Sequence, residues 1–147
     1  MTIEEITTMM VNQFKKNIKE DYIKRANDLG FSMHELIILA SIVEKESVFD
    51  SEKPIIAGVF YNRFKKNMRL QSDPSVIYGI PNFNCNITKK DLKRKTTYNT
   101  YVISGLPLGP ISNPGSASIL AALYPKNSHY LYFVAKNDGT HYFSNTY

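Results

Sequence analysis

Hydrophobic positions recur every three or four residues over the first thirty residues. Ile3, Ile6, Met10, Phe14, Ile18, Tyr22, Ala26 and Leu29 form one stripe, and the opposite face is rich in Lys and Glu. Thr2 with Glu5 makes a capping box, and Gly30 supplies a stop, so this reads as one long scaffold helix from Thr2 to Leu29 whose stripe packs on a core. A second helix begins at Ser32, again by a capping box, with Glu35. From Leu36 to Ser47 it contains no Gly or Pro, and Leu36, Ile37, Ile38, Leu39, Ala40, Ile42 and Val43 make it apolar nearly all round. Such a helix is buried on most sides. His34, Ser41 and Lys45 share its only polar strip.

Further on, Pro54 suits the first position of a helix whose core face is Ile55, Ile56, Val59, Phe60 and Phe64. Between Met68 and Ser112 regular patterns thin out. Asp73-Pro74 reads as a cap and first residue of a short helix closed by Gly79, and Thr88 with Asp91 starts another short turn. Gly105-Leu106-Pro107-Leu108-Gly109-Pro110 excludes helix and central strand. A long ordered loop in a compact domain is often functional. Asn113-Pro114-Gly115 opens a helix through Ile119, Leu120, Leu123 and Tyr124. The runs Tyr130–Ala135 and Thr140–Ser144 flank Asn137-Asp138-Gly139, a hairpin signal. The expected architecture is one mostly helical α+β domain over residues 1–147 with a C-terminal β-hairpin, without repeats or linkers.

The buried helix carries the candidate chemistry. Glu44 and Glu46 lie at its end, in Ile42-Val43-Glu44-Lys45-Glu46-Ser47. A carboxylate taken out of water finds a partner or holds its proton, and a carboxyl protonated near neutrality is a general acid. The two side chains project roughly 160° apart, so they do not serve one cleft as a close pair. Geometry alone leaves open which of them faces substrate, and an ion-paired structural role is open for both. Arg63 is available to neutralise the glutamate that is not catalytic.

Composition narrows the alternatives. Hydrophobic residues at 43% and charged residues at 21% are ordinary for a globular domain. The 10 Tyr and 8 Phe are enough to stack on sugar faces as well as fill a core. The net charge of +5 is spread over lysine pairs, which read as a solvated basic surface and not as a nucleic-acid site. The single cysteine, Cys85, excludes an internal disulfide and a cysteine zinc site, and His34, His129 and His141 lack metal-ligand spacing. No metal or cofactor is expected. No run of 18 apolar residues and no signal peptide is present. The chain opens directly into a helix and ends just after a strand-like run, which reads as an excised domain.

Several blocks, in order and at matching spacing from about Ser32 to Tyr147, carry a family resemblance. They are Ala40–Ser47, Ala57–Arg63, Met68–Gly79, Tyr98-Asn99-Thr100-Tyr101, Gly105-Leu106-Pro107, Gly109-Pro110-Ile111, Asn113-Pro114-Gly115 and Tyr130–Ala135. In these the chain resembles the MltG (YceG-like) endolytic murein transglycosylases. The combination is far more specific than any one block. Leu108 departs from the pattern, standing where the family commonly has a second Pro.

The resemblance implies a lysozyme-like catalytic domain that cleaves the MurNAc–GlcNAc β-1,4 bond of peptidoglycan glycan strands without water. It places the family's catalytic glutamate on Glu46, the second of Glu-Lys-Glu, and so chooses between the two. Ser47 then matches the hydroxyl residue that follows the acid. Glu44, Gln71, Asp73, Tyr98, Asn99, Tyr101 and Asn113 match family positions as cleft or support residues for substrate. In this reading Glu46 protonates the glycosidic oxygen, then as a carboxylate takes the proton of the C6 hydroxyl that closes on C1. One carboxylate suffices, because the nucleophile is intramolecular. The resemblance also implies a parent protein held in the cytoplasmic membrane by one N-terminal span outside this chain. Its catalytic domain would sit on the outer face near peptidoglycan synthases. The rivals are a hydrolytic muramidase with Asp73 as second carboxyl, and a non-catalytic glycan-binding module. A pyridoxal-phosphate lyase lacks a Schiff-base lysine pattern and a phosphate cradle.

Overall fold

The computed structural model describes residues 1–147. Seven helices precede one hairpin: α1 (Ile3–Asn17), α2 (Glu20–Asp28), α3 (Met33–Glu46), α4 (Lys53–Lys65), α5 (Asp73–Tyr78), α6 (Lys89–Leu92), α7 (Ser116–Leu123), β1 (Tyr132–Ala135) and β2 (His141–Ser144). The fold is α+β, mostly helical, with the two strands antiparallel and in register from Tyr132↔Ser144 to Ala135↔His141.

α3 is the central element. Its capping box forms, with Ser32 Oγ accepting from the Glu35 N–H and the Glu35 carboxylate accepting from the Ser32 N–H. The helix packs against α2, α4, α5 and α7. Leu36, Leu39, Ala40, Ile42 and Val43 are fully buried, together with Ile56, Ala57, Ala122 and Leu123 from its neighbours. Each large apolar side chain so buried contributes about 1.5–3 kcal/mol. Ser41 does not belong to a solvated strip with His34 and Lys45. It is fully buried, donating to the Ile38 carbonyl at 2.7 Å and accepting from the Ile111 N–H at 3.0 Å. Ser112 Oγ donates to the Ser41 carbonyl at 2.9 Å, so the middle of α3 holds the loop that precedes α7.

The long scaffold helix expected over residues 1–30 is two helices. Ile18 and Lys19 are extended between α1 and α2. Neither Gly nor Pro breaks the chain there. Instead the basic last turn of α1 (Lys15, Lys16) meets the acidic first turn of α2 (Glu20, Asp21), the charge pattern that stabilises a helix end followed by a helix start. The stripe is split accordingly. Ile18, Tyr22 and Leu29 pack on the core, and Ala26 is fully buried within it. Ile3, Ile6, Met9, Met10 and Phe14 remain exposed, and no residue of α1 is buried.

Two short helix starts fall one residue from expectation. Ser72, not Asp73, caps α5, and Glu52 caps α4 with Pro54 in its first turn. The hairpin turn closes through the Lys136 N–H to the Thr140 carbonyl at 2.7 Å, leaving Asn137-Asp138-Gly139 as the loop. Gly139 takes φ +85°, the left-handed position such a loop requires.

α4 crosses the segment after α7 at very short range. The Lys126 N–H donates to the Pro54 carbonyl at 2.8 Å, and a Cβ at Gly58 would lie 2.4 Å from the Lys126 carbonyl oxygen. Gly→Ala within a helix ordinarily stabilises. Here Gly58→Ala should reverse that sign and destabilise by about 1–3 kcal/mol, read from urea unfolding. A variant as stable as the wild type would show that the contact is not close.

Candidate active site

Glu46 is the last residue of α3, and Ser47 turns the chain out of the helix in an extended conformation. The end of α3 therefore presents Glu46 to a pocket of about 210 Å³. Arg63, Gln71, Asp73, Tyr101, Phe133 and His141 form most of the rest of its lining. The walls come from α4, the turn before α5, α5 itself, the loop after α6 and both strands. A wider groove of about 760 Å³ continues from it, sharing Arg63, Gln71, Tyr101 and Phe133 and extending over Tyr132, Tyr142 and Tyr147.

The Glu46 carboxyl makes one hydrogen bond, with Ser72 Oγ donating to Oε1 at 2.6 Å. Burial pushes its pKa up, and the nearby Asp73 adds to the rise. The Ser72 hydrogen bond, His141 and Arg63 oppose it without cancelling it, leaving the group at about 7. The carboxyl thus holds its proton up to neutrality, the condition for a general acid.

The other groups are held firmly. Asp73 Oδ1 accepts from the Tyr101 hydroxyl at 2.6 Å. Burial, with the hydrogen bond to Asp73, keeps that phenol protonated well above its ordinary range. Arg63 donates through Nε to the Leu131 carbonyl at 2.7 Å, and through Nη1 to the Arg69 and Leu70 carbonyls at 3.1 and 2.9 Å. It also reaches Gln71 Oε1 at 3.4 Å. Gln71 stands at φ 52°, a left-handed conformation uncommon for a residue with a side chain. The Gln71 N–H donates to the Thr100 carbonyl, and Ser72 N–H to Thr100 Oγ1, which fixes this turn against the loop.

Of the residues singled out from sequence, Glu46, Gln71, Asp73 and Tyr101 come together in this pocket. The remaining five lie elsewhere. Ser47 is buried in a local turn, exchanging hydrogen bonds with the Phe49 backbone. Tyr98 packs against Tyr78, with the rings tilted and their centroids 4.7 Å apart. Asn99 is buried and acts as a clamp. Its amide donates to the Asp91, Leu92 and Arg94 carbonyls, and its Oδ1 accepts from the Tyr101 N–H at 2.9 Å. It thereby sets the backbone of Tyr101. Asn113 is exposed in a different groove, between α1 and the start of α7.

Glu44 caps α7. Its Oε2 accepts from the Gly115 N–H at 3.0 Å and from the Ser118 hydroxyl, and Lys53 Nζ lies 3.6 Å away. Burial raises its pKa, but these three donors outweigh that and bring the group below its ordinary value. The cation expected of Arg63 is thus Lys53, and Arg63 lies in the pocket of Glu46 instead.

Sequence reasoning passed over Ser72 and the pair Glu52–His141. Ser72 stands before Asp-Pro, a helix-cap position, and that was the available signal. Glu52 and His141 lie 89 residues apart, and no local pattern links them.

Comparison with known proteins covers nearly the whole chain. A model described as the YceG-like family matches residues 1–147. The endolytic murein transglycosylase of Bacillus subtilis (strain 168) is 39% identical over 145 residues, covering 99% of this chain and 40% of that protein. The protein of the same name from Streptococcus pneumoniae serotype 2 (strain D39) is 34% identical over 150 residues, covering 98% of this chain and 27% of its own. The crystal structure of a YceG-like protein from Listeria monocytogenes aligns at a TM-score of 0.89 and 44% identity, over 99% of this chain and 47% of that one. The chain thus spans less than half the length of these relatives.

The two glutamates should separate in stability measurements. Unfolded Glu46 ionises near 4.5 and folded Glu46 near 7, so the native state holds this proton more tightly. Stability linked to it is complete below pH 4.5 and is lost as the pH rises to 7, by on the order of 3 kcal/mol. The difference in unfolding free energy between wild type and Glu46→Gln should therefore shift by that amount between pH 4.5 and 8, in favour of the variant. A difference that stays flat with pH would show that Glu46 is not held in a desolvated site. Glu44→Ala should instead cost about 1–3 kcal/mol at neutral pH by leaving the Gly115 N–H and the Ser118 hydroxyl at the start of α7 without their acceptor. An unchanged melting temperature would exclude that role.

Proposed function

The chain belongs to the YceG-like family, and from that premise we propose that it is the catalytic domain of an endolytic lytic transglycosylase acting on peptidoglycan glycan strands. The observation that carries the proposal is the Glu46 carboxyl, protonated near neutral pH in a pocket that continues into an aromatic-lined groove. The groove suits a polymer better than a small molecule, since it runs open past Tyr132, Tyr142 and Tyr147. Tyrosine rings offer flat apolar faces to sugars and hydroxyls to their rims.

In the proposed reaction Glu46 gives its proton to the oxygen of the MurNAc–GlcNAc β-1,4 bond. The C1–O bond breaks through an oxocarbenium-like state. The C6 hydroxyl of the same MurNAc closes on C1, passes its proton to the Glu46 carboxylate and leaves a 1,6-anhydroMurNAc end. No water enters the products. In the longer parent protein the same reading puts this domain outside the cytoplasmic membrane, next to peptidoglycan synthases, where such cleavage would end growing strands. Support for that placement is the family alone.

A muramidase is the second reading, and Asp73 favours it. It is a carboxyl near enough to raise the pKa of Glu46, fixed by Tyr101 at the pocket wall. Hydrolytic glycosidases use two such groups. The products distinguish the two. Mass spectrometry of purified glycan strands treated with the protein should show anhydro ends, and Glu46→Gln should lower the rate by at least about 10²-fold. Products heavier by one water would establish hydrolysis, and unaltered cleavage by Glu46→Gln would remove Glu46 from the mechanism.

A further inference from the structure

His141 opens β2 and lines the same pocket as Glu46. Its ring is buried against Phe133, edge to face at 5.4 Å. Glu52, in the turn before α4, holds it at two points. Oε2 lies 2.7 Å from His141 Nδ1, and Oε1 accepts from the His141 backbone N–H at 3.0 Å. One carboxylate thus fixes both the strand start and the imidazole. Burial raises the Glu52 pKa, but the bonds to His141 outweigh it and bring the group below its ordinary value, so Glu52 is an anion. In the neutral ring an anion at Nδ1 keeps the proton on that nitrogen and leaves Nε2 as the acceptor.

Nε2 is free to act. Every buried side-chain nitrogen and oxygen in the protein has a hydrogen-bond partner. Nε2 has none among the protein's own groups, so it is not sealed in the core, and His141 is one of the residues lining the pocket. A carboxylate–imidazole pair with its far nitrogen toward a cleft is the arrangement of a general base. Glu46 faces it from α3, Arg63 from α4, Asp73 from α5 and Tyr101 from the loop after α6, while Lys136 of the hairpin turn lies near Glu52. Arg63 is occupied by backbone carbonyls and Asp73 Oδ1 by the Tyr101 hydroxyl, while Ser72 donates to Glu46 Oε1 and leaves the Glu46 proton available.

We propose that His141, oriented by Glu52, is the general base of this pocket and takes the proton of the attacking hydroxyl. This rests on the transglycosylase reading and revises one step of it. Glu46 transfers its proton to the glycosidic oxygen, which leaves with the electron pair of the C1–O bond. The C6 oxygen forms the new bond to C1, and its proton passes to Nε2 rather than to Glu46. The imidazolium then returns a proton to the Glu46 carboxylate, directly or through solvent, and both groups are reset. With acid and base on separate elements, the two proton transfers need no reversal of one carboxyl in mid-reaction.

The test uses the whole chain with purified glycan strands as substrate. The rate of anhydro-end formation against pH should be bell-shaped, with Glu46 setting the fall at high pH and His141 the fall at low pH. His141→Gln should lower kcat by about 10²-fold, leave KM nearly unchanged and abolish the low-pH limb. Glu52→Gln should lower kcat and move that limb, because His141 remains with its orienting charge removed. Should His141→Gln fail to fold, Glu52→Gln carries the same test. A folded His141→Gln with the wild-type profile and a rate within about threefold of the wild type overturns the proposal while leaving the transglycosylase reading intact. Nitrogen-15 spectra of the imidazole test the base without any substrate. They should show the Nδ1–H tautomer, and an Nε2–H tautomer overturns the proposal whatever the activity. Absence of cleavage by the wild type, with the Nδ1–H tautomer present, overturns the transglycosylase reading and the step assigned to His141 together.

Discussion

The burial of α3 on nearly every side is the constraint from which the site follows. A helix packed against α2, α4, α5 and α7 leaves only Lys45 of its last turn well exposed, with Glu44 and Glu46 partly covered. A carboxyl at that turn is either supplied with enough donors to stay charged or kept protonated by desolvation. Both solutions occur two residues apart. Glu44 receives a backbone N–H, a hydroxyl and a lysine. Glu46 receives one hydroxyl and stands near another anion. The same helix end therefore yields a structural cap and a proton donor, and the difference lies in what surrounds each.

The pocket around Glu46 is assembled from segments with little regular structure, and a polar network takes the place of secondary structure in holding them. Thr100 and Ser75 share a buried hydrogen bond, and both tie back to Ser72. Asn99 binds three carbonyls of the segment around α6 and one backbone N–H of Tyr101. No buried side-chain donor or acceptor is left over. Such fully satisfied networks specify one arrangement, because any other would strand a polar group away from water. Gln71 in its left-handed conformation is affordable in that frame, since its backbone is held by Thr100 on one side and Arg63 reaches its side chain from the other.

The hairpin completes the site from the far end of the chain. Phe133 and His141 enter the pocket from paired strands, and Arg63 binds the Leu131 carbonyl just before β1. Glu52 binds the first residue of β2. Two residues flanking or within α4 thus dock the hairpin onto the helical body, one by a cation and one by an anion. The strands are short and paired only with each other, so these polar ties, with the Phe60–Phe133 contact, set where the hairpin sits.

The sequence by itself determined the helices that carry caps and apolar periodicity, the hairpin marked by Asp-Gly, and the placement of two carboxylates on opposite sides of a buried helix. These are local properties, written in spacings of three, four or two residues. It misjudged the first thirty residues, because the stripe runs unbroken through Ile18 while the helix does not, and only the charge reversal between Lys16 and Glu20 marks the break. It could not place Tyr98, Asn99 or Asn113 relative to Glu46, nor join Glu52 to His141. Tertiary structure alone decided those, because pKa, burial and hydrogen-bond partner are properties of what packs against a side chain, and the partners here lie 26 residues from Glu46, 71 from Glu44 and 89 from Glu52.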